Sequence, residues 1–255
     1  MPETINSLKG KTVWLTRPQG QAESLASVLE AKGMKVEVMP MLAIEPLAEN
    51  ESIKQRVLDL DHYQSIFFVS TNAARLGMAL INNYWPQFPV QINLYTVGPT
   101  TAAVLEEYGL RAEYPETRMS SEALLSLDSL QVMGNTRALI IRGVGGRELL
   151  ANDLRQRGAH VDYLEIYQRQ CPDYIPGELE KKLQDSPDGI VVTSAEALDN
   201  LKTLLEKDNC DLSAVHLFVS SDRLADIAAK AGFSDTVTMA GADDKSVIRS
   251  LEENC

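Results

Sequence analysis

Arg17, Leu29, Gly33 and Val36 return as Arg142, Leu154, Gly158 and Val161, each 125 positions later (142−17, 154−29, 158−33, 161−36). In both places an apolar run stops at the arginine, an amphipathic helix follows, a glycine closes the helix and a second apolar run begins. The first copy reads as a strand over Gly10–Thr16, a helix over Gln21–Lys32 with Leu25, Val28 and Leu29 inside, and a strand over Val36–Met39. The second reads as a strand over Ala138–Ile141, a glycine turn at Gly143-Val144-Gly145-Gly146, a helix with Leu149, Leu150 and Leu154 on one face, and a strand over Val161–Ile166. The register continues through three more units. SIFFVSTNA (Ser65–Ala73) lies over GIVVTSAEA (Gly189–Ala197), with Ser194 at 124 from Ser70 (194−70). Leu94–Gly98, with its helix to Gly109, lies over Leu217–Ser221 with a helix to Gly232, at 123 (232−109). Ser120-Ser121-Glu122 lies over Asp243-Asp244-Lys245, each a helix start with a capping side chain. One such match arises easily among strand–helix proteins. Four in the same order describe two copies of one parallel α/β unit, roughly 11–127 and 136–252.

A chain of 255 residues, 44% hydrophobic and 24% charged, suffices for two ordinary globular domains. No apolar run reaches bilayer length and MPETINSLKGK lacks a signal-peptide core, so a cytoplasmic protein without membrane contact is expected. Cys171, Cys210 and Cys255 are scattered and form neither a disulfide framework nor a metal pattern. The net charge of −12 argues against nucleic acid and gives no general attraction for anions. An anionic ligand must then be held by helix N-termini and a few placed arginines.

Every repeated unit runs apolar strand, polar or small junction, helix. The junctions are Thr16-Arg17, Ser70-Thr71, Gly98-Pro99-Thr100-Thr101, Arg142-Gly143, Thr193-Ser194 and Ser220-Ser221. In a parallel sheet these lie at the carboxyl edge, where ligands bind and free N–H groups are presented. Two such edges facing one another make a cleft suited to a ligand rich in carboxylates. The matched segments Pro40–Pro46 and Glu165–Pro172, each ending in proline, read as connectors between domains.

Cofactor motifs fail on inspection. Gly143-Val-Gly-Gly-Arg-Glu has Glu148 where a dinucleotide loop needs its last glycine, and no Walker lysine is present. His62, His160 and His216 have no ligating neighbours at metal spacing, and no G-x-S-x-G elbow occurs. Ser70 and Ser194 read as helix caps and ligand contacts rather than nucleophiles. Arg17 and Arg142, at equivalent strand ends, read as anion-binding in preference to surface ion pairs. Tyr167 leaves a strand toward a connector, and its repeat partner (167−125) is Leu42. A half-buried strand tyrosine and a cleft-facing proton donor both remain open on the residues alone.

Thr16-Arg17-Pro18, Phe68-Val69-Ser70 before a helix, Val97-Gly98-Pro-Thr-Thr101-Ala102 leading to Gly109, Gly158–Val161 running to Ile166-Tyr167, and Val192-Thr-Ser194 together resemble the uroporphyrinogen-III synthase family over nearly the whole chain. The resemblance implies two flavodoxin-like α/β parallel-sheet domains facing a cleft and joined by a two-stranded connector. One domain is then 1–39 with 173–255 and the other 47–164, with connectors 40–46 and 165–172. A simple division at the repeat boundary, near residue 130, gives way to this crossed arrangement. Implied too is a cyclising hydro-lyase of tetrapyrrole (haem, sirohaem, cobalamin) biosynthesis that needs no cofactor. It closes hydroxymethylbilane to uroporphyrinogen III with inversion of ring D and loss of water. Tyr167 matches the family tyrosine proposed to assist hydroxide departure, and Thr101 a threonine of the Gly-x-x-Thr turn. The expected substrate contacts are Thr16, Arg17, Ser70, Thr71, Gly98, Thr100, Thr101, Arg142, Gly143, Arg147, Ser194, Ala195, Ser220, Ser221 and Arg223. Val219-Ser220-Ser221-Asp222-Arg223 departs from the Gly-x-x-Thr that many relatives carry in the second copy, so Ser220, Ser221 and Arg223 stand in for it. A monomer is expected, with transient contact to the preceding pathway enzyme. The competing reading is a non-catalytic two-lobed binder of a small anion. A structural or partner-docking protein would need a large exposed apolar helix face, and each helix keeps one charged side.

Overall fold

The computed structural model describes residues 8–116 and 119–255. Residues 1–7, on which the signal-peptide reading partly drew, lie outside the described residues. The chain forms two compact units, one from the described part of Met1–Ala43 with Gln170–Cys255 (unit 1), the other from Ile44–Arg169 (unit 2).

The chain opens unit 1 with β1 (Thr12–Leu15), α1 (Glu23–Ala31) and β2 (Lys35–Val38). It then builds unit 2 from β3 (Ala43–Pro46), α2 (Glu51–Leu58), β4 (Ser65–Phe68), α3 (Thr71–Asn82), β5 (Asn93–Thr96) and α4 (Pro99–Glu106). Unit 2 ends with α5 (Ser121–Leu124), β6 (Arg137–Gly143), α6 (Leu149–Gln156) and β7 (His160–Gln170). Unit 1 resumes with α7 (Glu178–Gln184), β8 (Gly189–Val192), α8 (Ala195–Lys207), β9 (His216–Val219), α9 (Asp222–Ala231), β10 (Asp235–Thr238) and α10 (Asp244–Asn254).

The sheets run β10-β9-β8-β1-β2 in unit 1 and β3-β7-β6-β4-β5 in unit 2. Unit 1 therefore has the order 2-1-3-4-5 of flavodoxin-like sheets, counted along its own strands. The repeat carries β1, β2, β4 and β5 onto β6, β7, β8 and β9, and the pairing follows. Val13 lies opposite Gly189 in one sheet and Ala138 opposite Ser65 in the other, while Thr12–Lys35 and Arg137–His160 also correspond. Where β10 pairs with β9, unit 2 shows, among the described residues, one isolated parallel bridge from Tyr95 to Glu113.

Both sheets are covered on both faces, as parallel sheets require. In unit 1, Trp14, Ile190, Val192 and Leu217 pack with α8 and α9 on one side. Val13, Leu15, Val191 and Phe218 pack with α1 and α10 on the other. Unit 2 divides Ile66, Phe68, Leu139 and Ile141 from Phe67, Tyr95, Ala138 and Ile140 in the same alternation. Two helix positions differ from expectation: Val28 is 41% and Leu149 40% exposed. The buried stripes are Leu25-Ala26-Leu29 and Leu150-Ala151-Leu154, and Val28 and Leu149 lie on their flanks. β7 also runs to Gln170, beyond the Ile166 end read from its apolar residues, because pairing with its neighbours outlasts the hydrophobic pattern.

The amino end of unit 2's sheet is tied by Asp162. Its carboxylate accepts from the Tyr63 hydroxyl (2.9 Å) and pairs with Arg56 (2.7 Å) and Arg137 (3.4 Å). Burial disfavours its charge, but the Tyr63 hydroxyl and the two guanidiniums outweigh burial and hold its carboxyl below the usual range. A carboxyl depressed on folding stabilises above its unfolded value, about 3.9, and the contribution fades as pH falls through the folded value. Asp162→Asn should lower the urea midpoint at pH 7 by the equivalent of about 1 kcal/mol. The gap from the parent should narrow toward pH 3; a constant gap would show that the charge of Asp162 is not what matters.

Candidate active site

The carboxyl edge of unit 2 is where local sequence and geometry converge. β4 ends at Phe68, and Ser70 then caps α3, its Oγ accepting from the Ala73 N–H at 3.0 Å. The same Oγ lies 3.0 Å from the Tyr167 hydroxyl. Tyr167 reaches it because β7 bulges beside β6: Arg142 pairs with Glu165, but Gly143 pairs with Tyr167, leaving Ile166 extra. Without the bulge, Tyr167 would share the face of Tyr163. Instead it joins Leu164 and Ile166 in the cluster containing Phe68 and Ile141, while Tyr163 packs at the opposite face. Tyr167 is 7% exposed and lines a concavity of about 220 Å³.

The glycine run after β6 makes room for this arrangement. A Cβ on Gly143 would stand 2.4 Å from Cε2 of Tyr167, and one on Gly146 would stand 2.6 Å from Nη2 of Arg142. Gly145, at φ +69°, supplies the left-handed turn between them. These glycines therefore admit a phenol and a guanidinium, not a dinucleotide phosphate.

The Arg142 side chain is only 5% exposed. Its Nη1 donates to Glu148 at 3.1 Å, its Nε donates to the Gly143 carbonyl at 3.2 Å, and Glu165 lies 3.7 Å away. Its guanidinium stacks 4.7 Å from the centre of the Tyr163 ring. The Tyr163 hydroxyl donates to the other oxygen of Glu148. That hydrogen bond, then Arg142, keeps the Glu148 carboxyl below the usual range, while burial and then Glu148 push the Tyr163 phenol up. Among the described residues, Arg142, Arg147 and Arg169 are the charged ones that line the concavity, a local excess of positive charge on an acidic protein.

The concavity thus gathers Ser70, Arg142, Gly143, Arg147 and Tyr167 of the expected residues, and adds Ser121, Tyr163 and Arg169. Thr71 opens α3 beside it, half-buried. The Gly98 turn lies apart from it. Gly98 caps α4 under the Met119 side chain, Thr100 is exposed, and Thr101 is buried with its N–H on the Gly98 carbonyl. No period-2 pattern in the sequence points to Tyr163 and Arg169, because the bulge puts Tyr163 and Tyr167 on opposite faces of the sheet.

In unit 1 the equivalent positions are more occupied by structure. The buried Thr16 hydroxyl donates to the Val191 carbonyl at 2.7 Å. Arg17 pairs with Asp244 at 2.6 Å and donates to the Ala242 carbonyl at 2.7 Å. Ser194 caps α8, with Ala195 as its first residue, and Ser221 caps α9. Ser220 donates to the Thr193 carbonyl at 3.1 Å, and Arg223 is exposed. Ser220 and Ser221 also line a separate concavity at the carboxyl ends of β9 and β10, with Thr238 and Arg249.

Fold and site together define a two-unit α/β protein whose second unit carries a tyrosine–serine hydroxyl pair and a cluster of arginines at its sheet's carboxyl edge. The chain belongs to the uroporphyrinogen-III synthase family: the model described as Uroporphyrinogen-III synthase HemD matches residues 23–249. It is 34% identical over 247 residues to the uroporphyrinogen-III synthase of Salmonella typhimurium, covering 94% of this chain and 100% of the relative. Identity to the Escherichia coli enzyme of that name is 32% over 248 residues, with the same coverage. In fold it is similar to a mutant uroporphyrinogen III synthase of the extreme thermophile Thermus thermophilus (TM-score 0.57, 19% identity, 96% of this chain and 100% of that one). A uroporphyrinogen-III synthetase from Helicobacter pylori is similar in the same way (TM-score 0.57, 10% identity, 94% and 97%). Among the described residues no helix is long and apolar enough to cross a membrane.

Proposed function

We propose that this chain cyclises hydroxymethylbilane to uroporphyrinogen III, inverting ring D and releasing water. The observation that carries the reading is the Tyr167 hydroxyl, held 3.0 Å from Ser70 in a concavity whose charged residues, among those described, are arginines. Tyr167 donates its proton to the hydroxyl leaving ring A, so that water departs and an azafulvene-type cation remains. The substituted carbon of ring D attacks that cation to give a spiro intermediate, which fragments and recloses with the ring turned over. The ring-D carbon that forms the final bond then loses its proton, which restores the phenol, so only water is lost overall.

The substrate's eight carboxylates are taken up by Arg142, Arg147 and Arg169 and by N–H groups at the helix starts after Ser70 and Ser194. Thr16, Arg17, Thr71, Gly98, Gly143, Thr100, Thr101, Ala195, Ser220, Ser221 and Arg223 complete the proposed contact set at the carboxyl edges. Because the bilane closes unaided to the uninverted isomer, the protein's task is to fix geometry and exclude water before that happens. We place the reaction in the cytoplasm, in a monomer built as residues 1–39 with 173–255, 47–164, and connectors 40–46 and 165–172. Such a labile substrate also favours transient contact with the enzyme that makes it.

The test is incubation with enzymatically generated hydroxymethylbilane, followed by separation of the product isomers. A large excess of type III is expected; type I alone would leave the chain a binder of anions.

A further inference from the structure

Tyr163 and Glu148 converge on Arg142 without belonging to the groups assigned above. We propose that Glu148, anchored by the Tyr163 hydroxyl, is a positioning residue that holds the Arg142 guanidinium in place for a substrate carboxylate. The proposal rests on the reading of Arg142 as a carboxylate receptor.

An arginine at a pocket wall ordinarily has many rotamers, and binding must collapse them to one. Arginine is among the side chains with the most such freedom to lose. Here groups of the protein itself hold the side chain to one arrangement. The Tyr163 ring lies along the guanidinium at 4.7 Å, the Gly143 carbonyl takes Nε at 3.2 Å, and Glu148 takes Nη1 at 3.1 Å. Nη2 rests against Gly146, a residue of the pocket wall, where any side chain would collide with it.

Glu148 itself would be mobile, since its side chain is 54% exposed at the start of α6. The hydroxyl of Tyr163 removes that freedom by donating to the second carboxylate oxygen. Tyr163 therefore acts on Arg142 twice, through its ring directly and through its hydroxyl by way of Glu148. Glu148 engages Nη1, while Nη2 lies beside Gly146, which also lines the concavity, so Glu148 is placed as a brace and not as a plug occupying the receptor.

Steady-state kinetics on the full chain with hydroxymethylbilane generated in situ tests this. Glu148→Gln should raise KM about 10-fold with kcat within about 2-fold, the signature of lost preorganisation. Glu148→Asp should recover part of the loss. Tyr163→Phe keeps the ring and should raise KM about 3-fold, and the double variant should be no worse than Glu148→Gln alone. Equilibrium binding of uroporphyrin III, followed by fluorescence, should weaken in step with KM. An unchanged KM, an effect on kcat alone, additive single effects, or a lowered KM (Glu148 as a competitor for Arg142) would each overturn the proposal. If the parent protein makes type III product and these variants behave like it, only this proposal fails. If the parent makes none, the functional reading fails and this falls with it.

Discussion

Tyr167→Phe should slow type III formation by about 10²-fold, with the fold retained. A positioned acid contributes roughly 10²–10⁴ to a rate, and the low end applies because the bilane also loses its hydroxyl unaided. The substitution keeps the ring that packs among Phe68, Ile141 and Ile166 and removes only the hydroxyl that meets Ser70. Ser70 still accepts from the Ala73 N–H, so α3 keeps its cap and the stability loss should stay near 1 kcal/mol. Initial rates with isomer analysis, beside circular dichroism of the variant, decide the matter. A rate equal to that of the parent removes Tyr167 from the chemistry.

Gly143→Ala should be at least as damaging, by a different route. The new methyl would lie 2.4 Å from Cε2 and 2.7 Å from Cζ of Tyr167, and a packed aromatic ring cannot step aside cheaply. Either the ring moves and its hydroxyl leaves Ser70, or β6 and β7 separate at the bulge. Overpacking of this sort costs about 1–3 kcal/mol of stability. Activity should fall to or below that of Tyr167→Phe, and combining the two changes should lower it little further, since both act on one hydroxyl. Multiplicative losses would mean that Gly143 serves the substrate by its own backbone and not by seating the tyrosine.

How much of this could be read from residues alone depended on what each feature rests on. The repeat was legible because strands buried on both faces and helices closed by glycine leave a pattern in composition, and the offsets carry Ser65–Phe68 onto Gly189–Val192 residue for residue. Capping serines were legible for the same local reason. The bulge at Ile166 was not, because nothing in EIYQR distinguishes an extra residue from an ordinary pleat until a partner strand fixes the register. The spacing of the glycines at 143 and 146 rules out a dinucleotide loop, but only the neighbouring side chains reveal what fills the space. Arg17 and Arg142 looked equivalent at the sequence level. Arg17 meets Asp244 and Arg142 meets Glu148 and Tyr163, so the surroundings of the two have diverged. Tyr163 escaped notice because a tyrosine in a strand is an ordinary residue until a guanidinium is found on its ring.

The interior place of β1 bears on how the protein is made. Val13, Trp14 and Leu15 lie opposite Gly189, Ile190 and Val191, which leave the ribosome much later. At about 5–20 residues per second the nascent chain waits roughly 10–35 s before β1 can acquire that neighbour. By then the segment Ile44–Arg169 has emerged whole and can close on itself. The apolar surfaces of β1 and α1 stay open throughout, so chaperone capture during synthesis should fall on the amino-terminal segment, and a translational pause before β8 should cost more yield than one after it.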